Sequence, residues 1–148
     1  MNIAIQHANR EHLKGIHELV LDWGYSANES HTQEWLEAQL NSPNHRIVVA
    51  IADGSVAGWA VAEKRITLGY GWVSEITALV VGSTYRRLGI GKLLVNAVEA
   101  WSKTLGLSRL VVRSNVTRLE SHEFYPAIGF ELTKTTHVYA KALKPSGK

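Results

Sequence analysis

At 148 residues, with 45% apolar and 20% charged side chains, the chain has the size and composition of one globular domain, and no apolar run approaches the roughly 20 residues of a membrane span. Its lack of cysteine excludes disulfides, zinc-thiolate sites and a covalent cysteine intermediate. A net charge of +3 without a basic run of four gives no nucleic-acid footprint, and Met1 to His7 lacks the plan of a secretory signal; a soluble cytoplasmic protein without nucleic-acid or membrane partners is expected.

In chain order, Ile3 and Ile5 alternate with polar neighbours as a short strand would. Leu13, Ile16, Val20 and Trp23 recur at helical spacing after a capping Asn9, and Gly24 ends that helix. Ser30 followed by Gln33 reads as a capping box opening a second helix, which carries Trp35, Leu36 and Leu40 to the Ser42-Pro43 break. Two β-rich runs, 47–51 and 56–61, flank Asp53-Gly54, the dipeptide of a tight hairpin turn. Another strand is expected from about Trp72 to Val81.

Next, Ile90, Leu93, Leu94, Ala97, Val98 and Trp101 line one face of a helix that stops at Gly106. Leu110 to Val112 reads as a buried strand, and Thr117 with Glu120 as a capping box for a helix to about Ile128. Two short strands are expected around 130–133 and 137–143, with 144–148 a frayed tail. The order β-α-α-β-β-β-α-β-α-β-β predicts an α+β fold on a mixed, mainly antiparallel sheet, in one domain.

The turn Arg86-Arg87-Leu88-Gly89-Ile90-Gly91-Lys92, between an apolar strand and the strongest helix, suits one task. Gly89 and Gly91 let the backbone approach an anion, the first amides of the helix point outward, and the cations add charge. A basic turn facing solvent would have the same composition. Lys92 is followed by Leu93, so the Ser or Thr of a Walker loop is missing, and the paired N-terminal helices and hairpin do not fit a dinucleotide fold. No Gly-x-Ser-x-Gly elbow is present, and His7, His12 and His17, five apart, do not share a helical face, so no metal site is expected.

Arg-x-x-Gly-x-Gly in this setting resembles the coenzyme A signature of the GNAT acetyltransferase superfamily. Val49 to Trp59 resembles that family's central hairpin, and Arg113-Ser114-Asn115 with His122 to Phe130 its C-terminal signature. The resemblance implies transfer of an acetyl group from acetyl-coenzyme A directly to a primary amine. It implies cofactor contacts from Leu79, Val80 and Val81, from Arg86 through Lys92, and from Asn115, which is equally an Asx cap. Tyr125 is implied as the donor to the coenzyme A sulfur, the alternative being a packed core tyrosine.

A lysine-like ammonium must lose its proton before attack, at a cost of about 4 to 5 kcal/mol at pH 7. The resemblance implies Glu75, early in the strand before the turn, as the leading base, with a solvated strand residue or a purely electrostatic contact to the acceptor equally open; Glu63 and Asp22 are weaker candidates. The resemblance places the acceptor against Trp23, Tyr25, Glu29, Trp72 and Glu75, aromatic and acidic groups suited to a small cationic amine such as an aminoglycoside-like molecule, a polyamine or an amino acid. A non-catalytic acyl-coenzyme A sensor and a protein-amine acetyltransferase are the alternatives, and an exposed strand edge leaves a homodimer open.

Overall fold

The structure is a computed structural model that describes residues 2–144; of the expected frayed tail, 145–148 lie outside the described residues. The chain divides into two compact units, Met1–Arg113 and Ser114–Lys148. In the first, β1 (Ile3–His7), β2 (His45–Ala52), β3 (Ser55–Thr67), β4 (Gly71–Val81) and β5 (Leu110–Val112) form a sheet in the order β1-β2-β3-β4-β5. All neighbours are antiparallel except β4 and β5. The helices are α1 (Leu13–Asp22), α2 (Glu29–Leu40) and α3 (Ile90–Thr104). The second unit carries α4 (Leu119–Ala127).

Period-2 alternation gives the sheet two apolar faces. Ile47 and Val49 of β2, Trp59 and Val61 of β3, and Val80 of β4 form one core with Ile16 and Leu19 of α1 and Leu36 of α2. On the opposite face α3 contributes Ile90, Leu94, Val95 and Val98, all buried, and its Ser102 hydroxyl bonds the Ser74 hydroxyl of β4 at 2.7 Å. The hairpin turn is as expected: Asp53 and Gly54 both have positive φ, at 50° and 86°, the mirror-image geometry that matches strand twist.

Local expectations differ from the structure at several points. The second helix is capped by Asn28, whose side chain accepts from the His31 amide at 2.8 Å, and Ser30 instead donates its hydroxyl to that same oxygen at 2.7 Å. Such a cap contributes about 1 kcal/mol, and Asn competes well for it because its oxygen reaches the third amide. Trp35 lies outside the core, 54% exposed and stacked on His31. In the second unit no capping box forms from Thr117 and Glu120, since Arg118 is the N-cap and makes no side-chain cap. The segment 128–144, expected to hold two strands, has no strand assigned, and Leu132, Val138, Tyr139 and Leu143 are exposed. Alternation in a sequence makes a strand only when a partner closes its hydrogen bonds.

Candidate active site

The basic turn is built at the junction of β4 and α3. After β4 the chain makes one 3-10 turn at Ser83–Tyr85, passes Arg87 at φ 64°, and enters α3 from Gly89 at φ 79°. Nothing lies within 4 Å of a Cβ built on Gly89, so its backbone angle, not crowding, favours glycine there. Ile90, 1% exposed, anchors the helix start in the core. Its N-cap, Gly89, makes no side-chain cap, and the positive end of the helix dipole there is of the sign that favours an anion. Arg86, Arg87 and Lys92 are exposed around it.

Arg87 holds a left-handed conformation that costs a non-glycine residue about 1 to 2 kcal/mol. Arg87→Gly is therefore expected to raise the thermal midpoint of the ligand-free protein while weakening coenzyme A binding. Calorimetry and a thermal melt read the two opposite signs, and an unchanged affinity would remove Arg87 from the anion site.

The register of β4 explains why its last residues are available. Val61 pairs with Ala78 but Ala62 pairs with Ile76, so Thr77 is an extra residue that bulges the strand. On its other side β4 meets β5 only at Ser74, Glu75 and Ile76. Beyond the bulge Leu79, Val80 and Val81 pair with β3 alone, and their second edge carries no strand partner within the first unit. Val80 points into the core, whereas Leu79 and Val81 are only partly covered. Such an edge can donate and accept along an extended amide-bearing chain.

Glu75 stands where β3, β4 and β5 meet. It lies opposite Glu63 of β3 and beside Val111 of β5, on the face covered by α1 and α2. Its carboxylate is 8% exposed and takes a guanidinium on each oxygen: Arg65 at 2.7 Å on Oε1 and Arg113 at 3.3 Å on Oε2. Glu63 in turn pairs with His45 at 3.2 Å. A row of polar, mostly ionic side chains thus crosses the sheet from β2 to the end of β5. Arg65 and Arg113 are invisible as partners in the sequence, because cross-strand register brings them together.

The proposed acceptor wall is only partly assembled. Trp23 meets Tyr25 edge-on at 4.9 Å and Trp59 at 6.5 Å, so the loop after α1 offers an aromatic surface running from the core to an exposed Tyr25. Glu29 is exposed in the first turn of α2. Trp72 does not join them. It shares the α3 side of β4 with Ser74, and its ring is covered by the Lys64 ammonium at 4.6 Å from the centroid. An odd-even count along β4 separates it from the face of Glu75.

In the second unit Asn115 forms an Asx turn: its side-chain oxygen accepts from the Thr117 amide at 2.9 Å and the Thr117 hydroxyl at 2.8 Å. Tyr125 is half-buried on α4, edge-on between Phe124 at 5.0 Å and Phe130 at 5.5 Å. Pro126 lies inside the last turn of the helix, and the Tyr125 carbonyl accepts from the amides of Ile128 and Phe130. Burial pushes the Tyr125 phenol above its usual value near 10, with Arg118 pulling back. The hydroxyl is therefore a hydrogen-bond donor throughout the neutral range. Among the described residues no cluster of metal-ligating side chains occurs.

The profile of the "Acetyltransferase (GNAT) family" matches residues 10–130. The chain is 29% identical over 126 residues to an aminoglycoside N(6')-acetyltransferase type 1 of Serratia marcescens, covering 82% of this chain and 86% of that protein. It is 27% identical over 144 residues to an aminoalkylphosphonate N-acetyltransferase of Salmonella typhimurium, covering 94% and 90%. The fold is shared with AAC(6')-Iy in complex with the bisubstrate analogue CoA-S-monomethyl-acetylneamine, at a TM-score of 0.84 and 24% identity, over 97% of this chain and 100% of that one.

Proposed function

Because the chain belongs to the acetyltransferase (GNAT) family and carries an acetyl group from acetyl-coenzyme A to an amine, we propose that its acceptor is a primary amine on a small cationic molecule of the aminoglycoside kind. The observation that carries this reading is the aromatic surface of Trp23 and Tyr25 in the loop after α1, with the exposed Glu29 following it in the first turn of α2, groups that favour a polycation. The residues matched by the family profile run through both units, and we take them as one N-acetyltransferase domain.

In this reading the start of α3, with Arg86, Arg87 and Lys92, holds the pyrophosphate, and the edge of Leu79 to Val81 bonds the pantetheine and offers an amide to the developing oxyanion. Asn115 bonds the pantetheine through groups its Asx turn leaves over, since its side-chain amide nitrogen is a donor. Acetyl-coenzyme A supplies a thioester, and Tyr125 donates its hydroxyl to the departing sulfur. No side chain forms a covalent intermediate and no metal is needed.

Glu75, the leading base of the sequence reading, takes a different part. Both its oxygens are engaged by guanidiniums, so we assign it to holding Arg65 and Arg113, and the acceptor ammonium gives its proton to water. The enzyme is proposed to be cytoplasmic, with no nucleic-acid or membrane partner. β1 and β5, the sheet's outer strands, are where a homodimer would pair.

Thiol release from acetyl-coenzyme A, followed over neamine, spermidine, 2-aminoethylphosphonate and a lysine peptide, tests the acceptor. Neamine is expected to turn over fastest. A preference for the phosphonate would move the assignment to an anionic acceptor, as the Salmonella relative's name suggests for that protein. Binding of acetyl-coenzyme A without release for any amine would favour a sensor.

A further inference from the structure

We propose that Asp22 is a positioning residue that ties the acceptor loop, residues 23–28, to the coenzyme A turn. The inference rests on the reading of residues 86–92 as the pyrophosphate site. Asp22 is the last residue of α1, and its carboxylate reaches 61 positions along the chain to accept from the Ser83 amide at 3.2 Å and the Ser83 hydroxyl at 3.5 Å. Ser83 opens the short 3-10 turn that leads directly into Arg86 and Arg87.

Two observations show that the contact is supported from below. Gly15 lets α1 lie against β3, since a Cβ there would meet Val56 Cγ2 at 2.6 Å. Gly82 lets the turn lie against α1, since a Cβ there would meet Leu19 Cδ2 at 3.0 Å. The Gly82 amide also donates to the Ala57 carbonyl at 2.8 Å, fixing the turn to β3. The end of α1 and the start of the turn are thus packed together with little room for slippage.

A carboxylate is also locally misplaced at the C-terminal end of a helix, where the dipole favours a cation. Its tertiary bond to Ser83 accounts for an acid at that position. Asp22 is followed directly by Trp23, whose ring meets Tyr25 and Trp59. One side chain therefore joins the aromatic surface proposed for the acceptor to the turn proposed for the pyrophosphate. Ordering the turn around an anion should order the loop as well, so that the acceptor surface is set once coenzyme A is bound.

Hydrogen exchange read by mass spectrometry, with coenzyme A as the only ligand, tests the coupling. In the wild type, saturating coenzyme A is expected to slow exchange about tenfold in both 86–92 and 23–28. In Asp22→Ala the protection of 86–92 should persist, that of 23–28 should vanish, and the coenzyme A dissociation constant should rise about fivefold. Asp22→Asn, which keeps an acceptor oxygen, should recover most of the loop protection. Loop protection that survives in Asp22→Ala, or is missing in the wild type while 86–92 is protected, overturns the proposal. If 86–92 is unprotected even in the wild type, the pyrophosphate reading fails and the coupling falls with it.

Discussion

Tyr125→Phe is expected to lower kcat about a hundredfold while changing the KM for acetyl-coenzyme A less than twofold. The ring keeps its place between Phe124 and Phe130, so the substitution removes an oxygen and almost no packing. A departing thiolate near 8.5 meets a phenol that burial has pushed above 10, which makes hydrogen-bond stabilisation easier than full proton transfer. The pH dependence gives a second reading. With the folded value raised, the hydroxyl stays protonated up to the usual phenol range, so the wild-type rate should lose its donor only above about pH 10. Stability follows the same sign: the contribution of the retained proton is complete below the unfolded value and is lost as pH rises through the folded one. Both alkaline effects should be missing in Tyr125→Phe. Full turnover by the variant under saturating acetyl-coenzyme A would remove the hydroxyl from the mechanism.

What could be read from the sequence was whatever the backbone demands locally. Asp53-Gly54 announces its turn because two successive positive φ angles suit few residue pairs. The helix after Gly89 announces itself through a buried face at helical spacing from Ile90 to Val98. Caps were less legible, because Asn28 and Ser30 are both good caps two positions apart and only the path of the chain chooses between them. Features set by register were not legible at all. The bulge at Thr77 shifts β4 by one residue, and the pairing of Glu75 with Arg113 depends on three rungs of a parallel ladder. Trp72 is parted from the rest of the expected acceptor wall for the same reason, since Trp72 and Glu75 sit at odd spacing on one strand and so point to opposite faces.

Glu75→Gln should separate a base from a brace. A base removed from the enzyme would flatten the acid limb of kcat/KM against pH and leave the fold intact. The two ion pairs predict the reverse: the limb keeps its slope, following deprotonation of the acceptor amine, while stability falls by about 2 kcal/mol. That figure is held below the full cost of breaking a buried pair because the Arg65 and Arg113 side chains, 36% and 56% exposed, can turn to water. Arg113 follows β5 at the point where that strand stops pairing with β4, so freeing it should loosen the last rungs of the ladder. The Leu79 to Val81 edge, which has no strand partner within the first unit, begins a few residues further along β4, so a rise in the KM for acetyl-coenzyme A should accompany the loss of stability. Arg113→Lys, which keeps the charge but lacks the guanidinium fork, should show a smaller version of the same two changes with the same pH slope. A flattened acid limb in Glu75→Gln with an unchanged thermal midpoint would restore Glu75 as the base.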